Sequence, residues 1–210
     1  MGYDPEKHHR RSIRLRGWDY TRPGAYFVTI CTHNGECLFK DPVLRRVVET
    51  MWQRIPRHFP HARLDEFVVM PNHVHDIIWI VDNVGARHST EPSPSAGAIP
   101  SDELLQLREQ PLGNASPLPP CGAAPGSLGA IVGNFKSVTA RRINRIRKTP
   151  GAPVWQRNYY ERIIRNEGEL HRIREYIHLN PLKWELDREN PHRTGHNPEE
   201  DRLWQPPGTG

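Results

Sequence analysis

The chain reads as an α+β protein: one ferredoxin-like antiparallel sheet with helices packed on one face. Three observations predict this. Short runs dense in β-branched and aromatic residues alternate with longer runs whose apolar residues recur at helical spacing. They follow in the order strand, helix, two strands, helix, strand, helix, which suits a single antiparallel sheet. A 210-residue chain with a proline-rich middle has folded sequence for one respectable core and no more.

Residues 1–23 hold six Lys/Arg and two His with few apolar residues, which predicts a basic arm that orders only against a partner or the domain surface. Gly24 to Thr32 is rich in strand formers. Asp41-Pro42 supplies an N-cap and first-turn proline for a helix whose apolar face is Val43, Leu44, Val47, Val48, Met51, Trp52 and Ile55. Arg63 to Met70 and Asn72 to Val81 form two strands joined at the turn-prone Pro71-Asn72.

Residues 82–126, with eight prolines and five glycines, read as a flexible insertion in which only Ser101 to Gln110 resembles a short capped helix. Leu128, Ile131, Val132, Phe135, Val138, Ile143 and Ile146 then define a helix. Val154 to Arg165 reads as the last strand, Asn166 as the cap of the last helix, and Asn180-Pro181 as its end. The domain thus spans 24–181, and 182–210 is a C-terminal tail.

Charge points to an anionic partner. The net charge is +5, a weak signal by itself, but its distribution is uneven. Between Ala130 and Arg165 stand nine cations (Lys136, Arg141, Arg142, Arg145, Arg147, Lys148, Arg157, Arg162 and Arg165) against the single acid Glu161. Cys31, Cys37 and Cys121 are odd in number and lack zinc-ligand spacing, which argues against a disulfide framework or a structural zinc. No segment reaches the ~20 apolar residues of a membrane helix, and no apolar run follows the charged start. A cytoplasmic protein with no membrane partner is expected.

The chemistry-bearing residues fall in two places. His73-Val74-His75 lies within a strand, so both imidazoles share one face, where they can chelate an ion, while Val74 points to the other. On the last helix Leu170, Ile173 and Ile177 form the apolar stripe, Tyr176 and Asn180 share one flank of it, and His171 and His178 share the opposite, solvent flank. If that helix crosses beside the histidine strand, a phenol, two nitrogens and an amide oxygen converge. A hard divalent ion such as Mg²⁺ or Mn²⁺ held by few protein ligands keeps positions open for a phosphodiester oxygen. A tyrosine can then attack as its proton is lost.

Taken singly, each feature has a plainer reading: a His-x-His pair is more often a surface or core pair, and a helical tyrosine more often packs with its hydroxyl wet. Tyr159 and Tyr160 are rival nucleophiles, but they point opposite ways in a strand and bring no amide four residues on. A His-x-His-x-Asp-His metallohydrolase element would need Asp and His where Ile77 and Ile78 stand. A zinc hydrolase is therefore a distant third reading.

With these residues in view, the chain resembles the single-tyrosine HUH transposases, and within them the REP-associated tyrosine transposases. The matching stretches are Tyr26-Phe27-Val28-Thr29, Val69-Met70-Pro71-Asn72-His73-Val74-His75, Phe135-Lys136-Ser137 with Thr139 and Ile143-Asn144, Trp155 to Arg165, and Tyr176-Ile177-His178-Leu179-Asn180-Pro181. They run in order through the chain apart from the arm, the insertion and the tail.

The resemblance implies an HUH endonuclease palm in which His73 and His75 bind the metal, Tyr176 is the nucleophile and Asn180 is a third polar ligand. The substrate implied is single-stranded DNA, typically with a hairpin, cut to a 5′-phosphotyrosine and a free 3′-hydroxyl. Arg10, Arg11 and Arg14 of the arm, with Lys136, Arg141, Arg142, Arg145, Arg157 and Arg162, would grip DNA phosphates, and Trp155, Tyr159 or Tyr160 could stack on bases. One nucleophile per subunit can act in a homodimer or by successive reactions.

Two features depart from the family pattern. Asp76 replaces a small or apolar residue after the second histidine, and the segment after Phe39 is short. The alternative is a domesticated or inactive DNA-binding protein that keeps the fold without cleavage.

Overall fold

A computed structural model describes residues 18–82 and 123–198. The elements are β1 (Gly24–Cys31), α1 (Pro42–Gln53), the single turn α2 (Ile55–His58), β2 (Ala62–Val69), β3 (His73–Ile80), α3 (Leu128–Arg147), β4 (Tyr160–Ile164) and α4 (Glu167–Leu179), with a 3-10 segment (Asn180–Leu186) following. The sheet order is β2-β3-β1-β4 and every pairing is antiparallel. The expected α+β class with its four-stranded antiparallel sheet is what the chain adopts.

Local chemistry sets the ends of the elements. Asp41 accepts hydrogen bonds from the Val43 and Leu44 amides while Pro42 opens α1, Ser127 caps α3 by accepting from Ala130 N, and Asn166 caps α4 by accepting from Glu169 N at 2.9 Å. α3 ends at Lys148, whose left-handed backbone (φ 56°) turns its amide onto the Asn144 and Arg145 carbonyls.

The helices divide between the two faces instead of sharing one. On one face Tyr26, Val28 and Ile30 of β1 and Val74, Ile78 and Ile80 of β3 pack with Leu44, Val48 and Trp52 of α1 and Ile131, Val132 and Phe135 of α3. On the other, Ala25, Phe27 and Ile77 pack with Leu170, Ile173, Tyr176 and Ile177 of α4. Each large side chain so buried contributes about 1.5–3 kcal/mol. Cover on both faces explains why β1 and β3 are buried nearly end to end and read as almost unbroken apolar runs.

The last strand is shorter than the expected Val154 to Arg165. Lys136 Nζ donates to the carbonyls of Gln156, Arg157 and Asn158 at 2.6, 3.0 and 3.4 Å. That turns this backbone away from the sheet, and only an isolated Thr32–Trp155 bridge precedes β4. The predicted helix at Ser101 to Gln110 lies outside the described residues, as do residues 1–17 of the arm.

Candidate active site

Strand alternation places His73 and His75 on the face that α4 covers, where they are 0% and 1% exposed. The register sets Thr29 of β1 opposite His75 and Cys31 opposite His73. Each ring is held at Nδ1: Thr29 Oγ1 lies 2.8 Å from His75 Nδ1, and Asn72 Oδ1 lies 2.8 Å from His73 Nδ1. Both Nε2 atoms therefore face one shared space, 3.0 Å apart.

α4 brings the phenol to the same space. Its apolar stripe seats Tyr176 against Phe27, edge-on at 6.1 Å, and Phe27 also stacks on His75 at 5.5 Å. The Tyr176 hydroxyl consequently stands 3.3 Å from His75 Nε2. Asn180, one turn further, is 3% exposed, and its Oδ1 is buried with no hydrogen-bond partner. His73, His75 and Tyr176, three of the side chains that the sequence singled out, meet in this space; His171 and His178 are exposed on the far side of the helix.

A fifth group escaped the sequence reading. The residues after Pro181, expected as a tail, fold back over the histidines: Trp184 packs on His73 at 6.1 Å, and Asp187 Oδ2 lies 3.6 Å from His73 Nε2. Burial pushes the Asp187 carboxyl up to about 6. Its Oδ1 accepts from Glu189 N at 2.6 Å, whereas Oδ2 is buried with no hydrogen-bond partner. An acid among Lys183, Glu185, Arg188 and Glu189, with no periodicity around it, carries no signal that would distinguish it from a solvated charge.

These donors suit a divalent cation. His73, His75 and Asp187 each offer one ligand atom, all within 4.8 Å of one another. The 3.0 Å between the two Nε2 atoms matches the ~3 Å edge between neighbouring ligands about 2.1 Å from an octahedral ion. Two buried oxygens without hydrogen-bond partners, on Asp187 and Asn180, would otherwise be costly.

The remaining candidate residues separate by engagement. Arg141, Arg142 and Arg145 on α3, and Arg157 beyond it, are exposed. Lys136 is committed to its three carbonyls, and burial pushes its ammonium down to about 8. Arg162 Nε donates to Glu169 Oε1 at 2.6 Å. Trp155 is a core anchor, 7% exposed, with its indole donating to Thr139 Oγ1 at 2.8 Å. It cannot stack on a base. Arg10, Arg11 and Arg14 lie outside the described residues.

Comparison with known proteins adds two findings, and no family model matches the sequence. An uncharacterized protein of Haemophilus influenzae is 42% identical over 196 residues, which covers 88% of this chain and 95% of that protein. Among solved structures, a REP-associated tyrosine transposase bound to a REP hairpin superposes with a TM-score of 0.50 at 16% identity, covering 82% of this chain and 74% of that one. The second likeness is one of fold. The chain belongs to the family of the Haemophilus influenzae protein and has the fold seen in a REP-associated tyrosine transposase.

Proposed function

We propose that the protein is a transposase of the HUH type that cleaves and rejoins single-stranded DNA through a 5′-phosphotyrosine on Tyr176, at hairpin-forming repeats. The observation that carries this reading is the meeting of the Tyr176 hydroxyl and His75 Nε2 at 3.3 Å, beside a second histidine and a carboxylate able to hold a metal. The fold likeness to a chain bound to a REP hairpin supports DNA of that kind as substrate.

His73, His75 and Asp187, with Asn180 beside them, would hold the cation, magnesium or manganese. Once bound, it would neutralise charge developing on the phosphodiester oxygens. Tyr176 forms the new bond to phosphorus through its phenol oxygen, and the 3′-oxygen leaves as a hydroxyl. The enzyme thereby conserves the bond energy for rejoining. Phe27 and Ile177 keep the phenol in register with the histidine strand, while the α3 arginines and Arg157 bind backbone phosphates.

The test is incubation with a labelled hairpin oligonucleotide and manganese, followed by denaturing electrophoresis. A covalent adduct is expected that is absent in Tyr176→Phe and in chelator but survives in Tyr159→Phe and Tyr160→Phe. Salt-sensitive binding with no adduct at all would instead favour a DNA-binding protein that does not cut.

A further inference from the structure

Asn72, buried to 1% exposure, bonds to both halves of the site, the histidine strand and the segment that carries Asp187. Its Nδ2 lies 2.7 Å from the Glu189 carbonyl oxygen and 3.2 Å from the Gly35 carbonyl oxygen. Carbonyls only accept, so the amide's NH₂ must face them and its Oδ1 must face His73 Nδ1, 2.8 Å away. Oδ1 also only accepts. His73 therefore carries its proton on Nδ1, which leaves Nε2 as the nitrogen turned toward His75 and Asp187.

The other end of Asn72 reaches the carboxylate. The Glu189 residue that accepts from Nδ2 donates its own N–H to Asp187 Oδ1 at 2.6 Å. One side chain thus sets the ring nitrogen and, through a single residue, the acid 3.6 Å from it. The asparagine is itself fixed, since its carbonyl accepts from Thr32 N at 2.8 Å at the end of β1.

We propose that Asn72 is the positioning residue of the metal site: it selects the His73 tautomer and ties the Asp187 turn to the histidine strand. This rests on the metal reading above. Partners that orient metal ligands in this way typically change affinity by about 10–100-fold when removed.

The experiment is titration of the intact protein with manganese, read by the electron-spin signal of the free ion, together with imidazole nitrogen chemical shifts of the metal-free protein at mildly alkaline pH. His73 is expected as the Nδ1–H tautomer in the wild type and as a mixture in Asn72→Ala, with manganese affinity about 10–100-fold lower in that variant. Asn72→Asp keeps the acceptor for His73 but sets an oxygen against two carbonyls. It should keep the tautomer and still lose affinity.

Two results would overturn the proposal: a wild-type His73 protonated on Nε2, which needs no variant to fold, or an Asn72→Ala affinity within about twofold of wild type while His75→Ala loses binding. If wild type and His75→Ala bind manganese alike, the metal reading itself fails and the coupling with it. The tautomer measurement distinguishes that case from failure of Asn72 alone.

Discussion

Asp76 follows His75 in β3 and so faces the other side of the sheet, opposite Val28 and Phe67, beneath α1 and α3. It is 0% exposed, both oxygens are buried without a hydrogen-bond partner, and burial raises its carboxyl well above the ordinary 3.8. Because the folded-state value is the higher one, the folded protein holds a proton that the unfolded chain releases. The associated stability is complete below the unfolded value of 3.8 and is lost as pH rises from there toward the folded value, by about 1.4 kcal/mol per pH unit. Urea unfolding of wild type and Asp76→Asn across the acid-to-neutral range should show that slope in wild type and its absence in the variant; parallel curves would mean the carboxyl is not held protonated. Strand alternation alone makes it legible that Asp76 points away from the metal face, as it does the shared face of His73 and His75. Nothing comparable marks Asp187, because a carboxylate outside any periodic element acquires its meaning only from what the chain folds against.

At the scale of elements, the seating of α4 decides whether Tyr176 reaches His75. A polar clamp supplements its apolar stripe: Arg174 donates to both oxygens of Asp65 at 2.8 and 2.6 Å, and the Trp79 indole donates to Asp65 Oδ2 at 2.8 Å. The clamp joins α4 to β2 and β3. Burial pushes the Asp65 carboxyl up, but Arg174, Trp79 and the Glu66 amide together hold it below its ordinary value. That stabilisation is present above the unfolded value and disappears as pH falls through the lower folded one. Asp65→Ala should therefore cost about 1–2 kcal/mol at neutral pH, shrinking in acid, and a double-mutant cycle with Arg174→Met should show coupling of about 1 kcal/mol, modest because the arginine is partly solvated. Additive variants would reduce the clamp to two independent contacts. The stripe of α4 is legible as a 3.6-residue pattern, and its cap as Asn166. The clamp is not, because β2 carries an extra residue between Leu64 and Phe67, and such a bulge upsets any alternation read from sequence.

Across the whole molecule the sheet separates two kinds of surface. Tyr176 and the histidines lie on the α4 face, and the exposed arginines lie on α3 across the sheet. Periodicity reveals each helix's buried stripe but not which side of a sheet receives it, so this division is invisible until strand register and helix packing are known. The two surfaces approach each other at the end of β1, where Glu36, just beyond the strand, pairs with Arg147 of α3 at 3.0 Å and Thr32 bridges to Trp155. A bound DNA would lay its backbone on α3 and pass around this end of the sheet to the tyrosine, so affinity and chemistry should be separable by mutation. Replacing Arg141, Arg142 and Arg145 with alanine should weaken hairpin binding and lower the slope of log affinity against log salt by about 2, at roughly 0.7 for each single-strand phosphate no longer neutralised. Manganese affinity and thermal stability should hold, since none of the three is buried and surface changes of this kind usually stay within about 0.5 kcal/mol. An unchanged salt slope would move the phosphate track off α3, whereas a matching loss of manganese affinity would show that the two faces are not independent.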